Sequence, residues 1–431
     1  MALGPSTKAT VRDLRRLNRS IVLKRLFQQG PLNRSALAQH TGLSGGTITN
    51  VTSALLDEGL VVEAGRQESD GGRPSAMLQV NPAFGVLLGV EVGETRIRVD
   101  AFDLGMTLVG SAGLASHPQY QRPDETLQQV GLAVKDLCTK LEADGKRALG
   151  VGVAVPGIVA HQAGQLRAHA PNIGWRNVAL QPLAEATALP IFADNGAKTL
   201  GQAEMWLGAG RGANHAAVTL WGTGVGAAIF TDGALYRGAR SSAGEWGHTA
   251  IVADGKLCRC GAYGCLEAYV GARALLEEWY RSGPDAPEAG DPDAEDWLDR
   301  FIEAGRSRRR ASSALQRVAR YFGTGIANLV NLFNPEKVVI GGWIGVKLGP
   351  VLIDSVRETV SRQALEYTAS GVSIEVGELG AEAVALGAAL LVVDGLLLDG
   401  RSPVERPALR GQPSLARRRP HISGGTPVRA S

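Results

Sequence analysis

The 431-residue chain is 44% hydrophobic and 20% charged, which suits about three soluble domains with ample core. No apolar run reaches the ~18 residues of a membrane span, and the best candidate, residues 383–398, is broken by Gly387, Asp394 and Gly395 and reads as a buried helix. The net charge of +3 is unevenly divided: residues 1–82 carry ten Lys and Arg against six Asp and Glu, residues 401–431 carry seven against one, and the remainder 28 against 35. A basic head and tail on an acidic body suit a polyanionic partner at the ends.

Residues 1–10 are small and polar and are expected to be disordered. Over residues 11–29, Leu14, Leu17, Ile21, Val22 and Leu26 recur at helical spacing, and Pro31 ends that helix. A short helix follows over 34–40, then a turn at Thr41-Gly42-Leu43, with Ser44 as N-cap of a helix from about 46 to 58. That helix is expected to bury Ile48, Val51, Leu55 and Leu56 and to present Thr47, Thr49, Asn50 and Ser53. Residues 60–63 and 77–80 pair as a hairpin around Gly71-Gly72-Arg73-Pro74. Three helices and a hairpin predict a winged helix-turn-helix over residues 11–82. Its polar-faced helix suits a major groove, where Ser44, Thr47, Thr49 and Asn50 can reach base edges or phosphates. Arg66 and Arg73 of the wing can hold phosphate or enter a minor groove. The expected partner is a double-stranded DNA operator.

From residue 84 the pattern turns to strands, over 86–93 and 96–102, followed by an amphipathic helix over 127–141 and a buried strand over 149–157. In residues 220–227 the glycines of Gly222-Thr223-Gly224 suit a phosphate loop, although tight hairpins use the same residues. His248, Cys258, Cys260 and Cys265 then bring an imidazole and three thiols together within eighteen residues. One His and three Cys make a closed structural Zn²⁺ site with no position left for a substrate water, which excludes a zinc hydrolase. Cys-X-Cys is too short for a comfortable disulfide, and Cys138 stands apart. Glu245 and Glu267 flank the ligands, so the metal is expected to clamp a loop that carries polar groups into a cleft. Reduced thiols, and an N-terminus without an apolar signal core, suit the cytoplasm. Residues 282–310 read as a solvated insertion, 315–333 as a long apolar helix and 334–342 as a strand with a glycine turn. Residues 401–431 read as a disordered basic tail, whose Arg417-Arg418-Arg419 suits either DNA affinity or solubility.

Gly-Glu-X-Gly-His followed by Cys-X-Cys-Gly-X-X-Gly-Cys-X-Glu resembles the signature of the ROK family of repressors and sugar kinases. The resemblance runs from about Gly85 to Gly400. It implies an α/β chain in which a two-lobed actin-like ATPase (ribonuclease H-like) sugar-kinase fold with a structural zinc loop follows the winged head. Lobe 1 would span residues 83–193, completed by about 380–400, and lobe 2 would span 194–380. By resemblance Asn172, Asn195, Glu245, His248 and Glu267 hold sugar hydroxyls, and Gly222, Thr223 and Gly224 keep a residual nucleotide site. The head, with Gly-Arg-Pro in its wing, is similar to that of ROK repressors, whereas the family's sugar kinases start near the following strand.

The kinase chemistry departs from the family pattern. The phosphate loop Asp-X-Gly-Gly-Thr reads Glu91-Val92-Gly93-Glu94-Thr95 here, and Glu94 sets a negative charge where phosphates would lie. The segment Glu-Asn-Asp-Ala-Asn reads Asp194-Asn195-Gly196-Ala197-Lys198, in register with Glu204 and Gly208-Ala209-Gly210. Gly196 then takes the place of the aspartate that accepts the sugar proton, and glycine cannot act as a base. A shifted alignment puts Asp194 there at the expense of a gap before Glu204. The expectation is a non-enzymatic, sugar-responsive transcription regulator of carbohydrate genes, most simply a repressor. It would bind a sugar or sugar-phosphate effector and work as a homodimer or dimer of dimers without a membrane. The alternative is an active ATP-dependent sugar kinase with an accessory head.

Overall fold

The computed structural model describes residues 10–67, 75–94, 96–115, 122–162, 164–282 and 296–398; Arg73 and the wing tip, Thr95, residues 1–9 and the 401–431 tail lie outside them. The head opens with α1 (Val11–Gln29), begun by a capping box in which Thr10 and Asp13 each accept from the other's backbone N–H. Its second half buries Val22, Leu23, Leu26 and Phe27. Leu14 and Leu17 keep the helical spacing but are 51% and 54% exposed, because the core they were expected to join lies only under the C-terminal turns. β1 (Leu32–Asn33), α2 (Arg34–Thr41) and α3 (Gly45–Asp57) follow. Ser44 caps α3, accepting from the Thr47 N–H at 3.2 Å, and the helix buries Ile48, Thr52 and Leu55 while Thr49, Asn50 and Ser53 stay exposed. Val51, Leu56 and Thr47 are half-buried. β2 (Val61–Gln67) and β3 (Ser75–Val80) pair antiparallel, and β1 joins β3 as a third strand the sequence did not announce.

Lobe 1 runs β4 (Val86–Val92), β5 (Arg96–Asp103), β6 (Leu108–Ala115), α4 (Pro123–Ala143), β7 (Ala148–Val155), the small sheet β8 (Ile158–Gln162), β9 (Gln165–Ala170) and β10 (Trp175–Ala179), α5 (Gln181–Thr187) and β11 (Ile191–Asn195). Lobe 2 runs α6 (Gly196–Leu207), β12 (Ala216–Trp221), β13 (Val225–Thr231), β14 (Ala234–Leu235), α7 (Glu267–Val270), α8 (Ala272–Ser282), α9 (Asp296–Ser307), α10 (Arg309–Phe333), β15 (Lys337–Gly341), α11 (Trp343–Gln363), α12 (Glu366–Ser370) and β16 (Ser373–Val376). The two main sheets have one plan. In β11-β7-β4-β5-β6 and in β14-β13-β12-β15-β16, the first three strands in sequence form an antiparallel meander, and the next two add in parallel beside its first strand. The β4–β5 and β12–β13 turns are therefore equivalent, and both are glycine-bearing.

α13 (Ala383–Val392), continued by a π-helical stretch over Val393–Leu398, returns to lobe 1 and packs on β4, β7 and α6. Close approach explains Gly89 and Gly152: a Cβ there would lie 1.9 Å from Ala385 O and 1.7 Å from Ala388 O. The helix is long and apolar enough to cross a membrane, yet 78% of its apolar window is buried, as a core helix requires. The insertion expected to be solvated is a correction: α9 buries Trp297, Leu298 and Phe301 in the core of lobe 2. The acidic and proline-rich composition around it hides the helical spacing of those three residues.

The head is joined to the body by packing as well as by chain. One hydrophobic core includes Val22, Leu26 and Phe27 of α1 together with Leu200, Trp206, Val393 and Leu397. The Phe27 and Trp206 rings lie 6.4 Å apart, and Lys24 Nζ sits 5.3 Å from the centre of the Trp206 ring.

Candidate metal centre and interlobe cleft

The loop after β14 is built around four side chains. The ligand atoms of His248, Cys258, Cys260 and Cys265 all lie within 4.8 Å of one another. Cys260 and Cys265 Sγ are 3.8 Å apart, and Cys258 Sγ is 3.7 Å from His248 Nδ1. Those spacings exclude a disulfide and match the edge of a tetrahedron with metal–sulfur bonds of about 2.3 Å. Burial, then bonding to Cys260 and the charge of Cys258, pushes the Cys265 thiol up to about 12, a bias that a divalent cation reverses. Local geometry brings the ligands together: Gly264 sits at φ +77°, where a Cβ would meet Val252 O at 1.8 Å. Leu266, Tyr269 and Val270 anchor the loop in the core of lobe 2, and Tyr269 OH accepts from the Lys256 N–H at 2.8 Å.

Two polar clusters face each other beside this loop. In the first, β11 ends in Asp194, whose carboxylate pairs with Arg237 at 2.5 Å and accepts from the Asn195 N–H at 2.8 Å. Asn195 caps α6, its Oδ1 accepting from Ala197 and Lys198 N–H at 2.9 and 3.3 Å, while Nδ2 donates to Gly157 O at 2.9 Å. Lys198, 2% exposed, donates to Ser241 O. Desolvation lowers its pKa, opposed by Asp194 and Glu245. Glu245 is exposed as a residue, yet desolvation of its carboxyl raises its pKa against the pull of His248 and Lys198. Gly196 is the first residue of α6 and presents bare backbone; a Cβ there would meet nothing nearer than 3.8 Å, so sterics do not require glycine.

In the second cluster Arg259, set between Cys258 and Cys260, reaches in two directions. Its Nε donates to Glu267 Oε1 at 2.7 Å and its Nη1 to Glu94 Oε2 at 2.6 Å. Burial alone would lower the arginine's pKa, but its bonds to Glu267 and Glu94 raise it. Glu267 also accepts from the Val225 N–H at 2.9 Å, and Glu94 from Asn172 Nδ2 at 2.7 Å. The structure thus sets Asn195 and Glu245 in one cluster, Asn172 and Glu267 in the other, and His248 beside both Glu245 and the cysteines. Lys198, which takes the place of the second Asn of the family pattern at the pocket edge, is enclosed, and Arg237 and Arg259 are site residues that sequence reasoning misses. Arg259 carried a signal, a charge locked between two ligands, whereas Arg237 had none. Gly224 lies under this cluster, a Cβ there being 2.9 Å from Arg259 Nη2, whereas a Cβ on Gly222 would meet the Trp343 ring at 3.2 Å. Of the residues expected to face DNA, Ser44, Thr47, Thr49 and Asn50 share the start of α3 and Arg66 is exposed on β2.

The sequence profile of the ROK family matches residues 87–394. The chain belongs to the ROK family. Among curated ROK relatives, the xylose repressor of Caldicellulosiruptor bescii is 31% identical over 400 residues, spanning 89% of this chain and 97% of that protein. A solved ROK family transcriptional regulator, a homolog of the Escherichia coli MLC protein, superposes with a TM-score of 0.73 at 27% identity over 91% of this chain and 100% of its own. A ROK family glucokinase from Streptomyces griseus, solved with glucose and AMPPNP, gives 0.63 at 28% identity and covers 72% of this chain and 100% of its own. Likeness to ROK regulators therefore extends over the head, and likeness to the ROK glucokinase covers less of the chain.

Proposed function

We propose that this ROK protein is a sugar-responsive, DNA-binding transcriptional repressor of carbohydrate genes, working in the cytoplasm without kinase turnover. The observation that carries it is the reach of the likeness: a repressor and a regulator match nearly the whole chain, head included. Residues 11–82 form the winged helix-turn-helix, residues 83–193 with 380–400 one actin-like lobe and 194–380 the other. Ser44, Thr47, Thr49, Asn50, Arg66 and Arg73 face the operator. Asn172, Asn195, Glu245, His248 and Glu267 hold the effector's hydroxyls. Zn²⁺ on His248, Cys258, Cys260 and Cys265 would fix the loop that presents Glu245 and Glu267, its chemistry being structural.

The chain's own groups support binding over turnover. A kinase needs a carboxylate that accepts the sugar proton, and position 196 offers only backbone. Asp194 is no substitute, since its carboxylate is already held by Arg237 and the Asn195 N–H. Hydroxyl recognition survives: Asn195 Nδ2 retains a second N–H, and Glu245 is exposed beside Lys198 and His248. Sugar closure of the lobes would set the separation of two heads in a dimer, whose half-sites lie about 34 Å apart.

Operator binding tests the head directly. With duplex from the gene's own upstream region, Asn50→Ala should weaken binding by about 1–3 kcal/mol and relax specificity at one base position. Fluorescence anisotropy on specific and scrambled duplex reads both effects. An equal loss on the two duplexes, or none, would remove Asn50 from the base-reading set.

A further inference from the structure

The equivalent turns of the two lobes come close at a place that can seat an anion: glycine lets a charged group approach the backbone, and the Val225 N–H after the second turn already donates to a carboxylate, that of Glu267, at 2.9 Å. That seat is filled from within. Glu94 comes from the lobe 1 turn, and Arg259 and Glu267 come from lobe 2. Glu267 Oε2 and Glu94 Oε1 would lie 3.2 and 3.9 Å from a Cβ on Gly224, so these groups rest directly on the second turn. Side-chain exposure is 17% for Glu94 and 7% for Glu267, and Asn172 holds the outer face of Glu94. A surface ion pair adds little by itself. This one is notable for its place, at the junction of two glycine turns and bridging two lobes.

We infer that Glu94 is an internal stand-in for a nucleotide phosphate: its carboxylate, gripped by Arg259, occupies the anion seat and ties the lobes together, so that the cleft closes on its effector without nucleotide. Arg259 supplies the cation that an entering phosphate would otherwise recruit, and Asn172 fixes the rotamer. The sequence comparison reads Glu94 as a charge that repels phosphate; in the structure that charge is neutralised and built in. Glu94 and Arg259 are positioning residues, acting through the seat and through Glu267. This deepens the receptor assignment and rests on it, yet its test needs no sugar.

Full-length protein is titrated by calorimetry with inorganic phosphate and, separately, with ATP and magnesium. Wild type should bind either only weakly. Glu94→Gly empties the seat and should bind phosphate at least about tenfold more tightly than wild type, since Arg259 gains a free arm for a charge-assisted bond. Glu94→Gln keeps the shape, guards against a folding defect and should show a smaller gain. Phosphate taken up without ATP would still support the seat. Saturable binding by wild type equal to that of both variants would overturn the inference, as would folded variants that bind no phosphate. A wild type that takes no nucleotide and answers no sugar would leave the seat standing and defeat only the receptor assignment.

Discussion

Replacing Trp206 by alanine is expected to destabilise the protein by about 3–5 kcal/mol and to erase the effect of sugar on operator binding. α6 is a rod of 12 residues, about 18 Å long. It starts at Asn195 and Lys198 in the cleft and ends at Trp206, which is 4% exposed and faces Phe27 and Lys24 of the head. Along the way Gln202 donates to Asp394 at 2.5 Å, in the π-helical stretch that also packs against α1. A rigid helix with one end in the proposed effector site and the other under the head can bias both, which coupling between sites requires. Trp206→Ala opens a cavity at the junction, so the head keeps its own DNA-reading surface but loses its fixed seat. Operator affinity with and without sugar is the readout, with Trp206→Phe as a milder control that retains most of the packing. A folded Trp206→Ala protein with the full sugar effect would place the coupling elsewhere.

Cys260→Ser should have an effect of similar size, confined to the other end of the path. A structural zinc site contributes about 10–16 kcal/mol of apparent binding energy at neutral pH, so losing one ligand of four removes several. The loop would then release Arg259, Glu267 and His248 together, since all three lie on or beside the ligand positions. The head should remain folded, because the loop packs into the core of lobe 2 while the head shares a different core. The expected result is operator binding near wild type, a lower unfolding midpoint for the body and no sugar response. Metal content by atomic absorption, measured beside DNA binding, checks it. A variant that loses metal yet responds normally to sugar would remove zinc from the account.

What could be read from the chain was local. The four ligands sit within eighteen residues, Ser44 stands before its helix, and Gly196 falls in register with Glu204 without a gap. Contacts made by topology were not legible. Arg259 meets Glu94 across 165 positions, and Phe27 meets Trp206 only because α13 and α6 bring the body under α1. Periodicity also overreached at Leu14 and Leu17, where the spacing continues beyond the core that should receive it. It fell short at α9, where a polar stretch concealed Trp297 and Phe301. Both errors share a cause: spacing tells which residues share a face, and only packing tells whether anything covers that face.

The most direct measurement follows operator release and ADP formation in the same sample as one sugar after another is added with ATP and magnesium. The account predicts a sugar that shifts operator affinity by a few kcal/mol of coupling while ADP stays at background. Brisk ADP formation with any sugar, in step with its consumption, would contradict it.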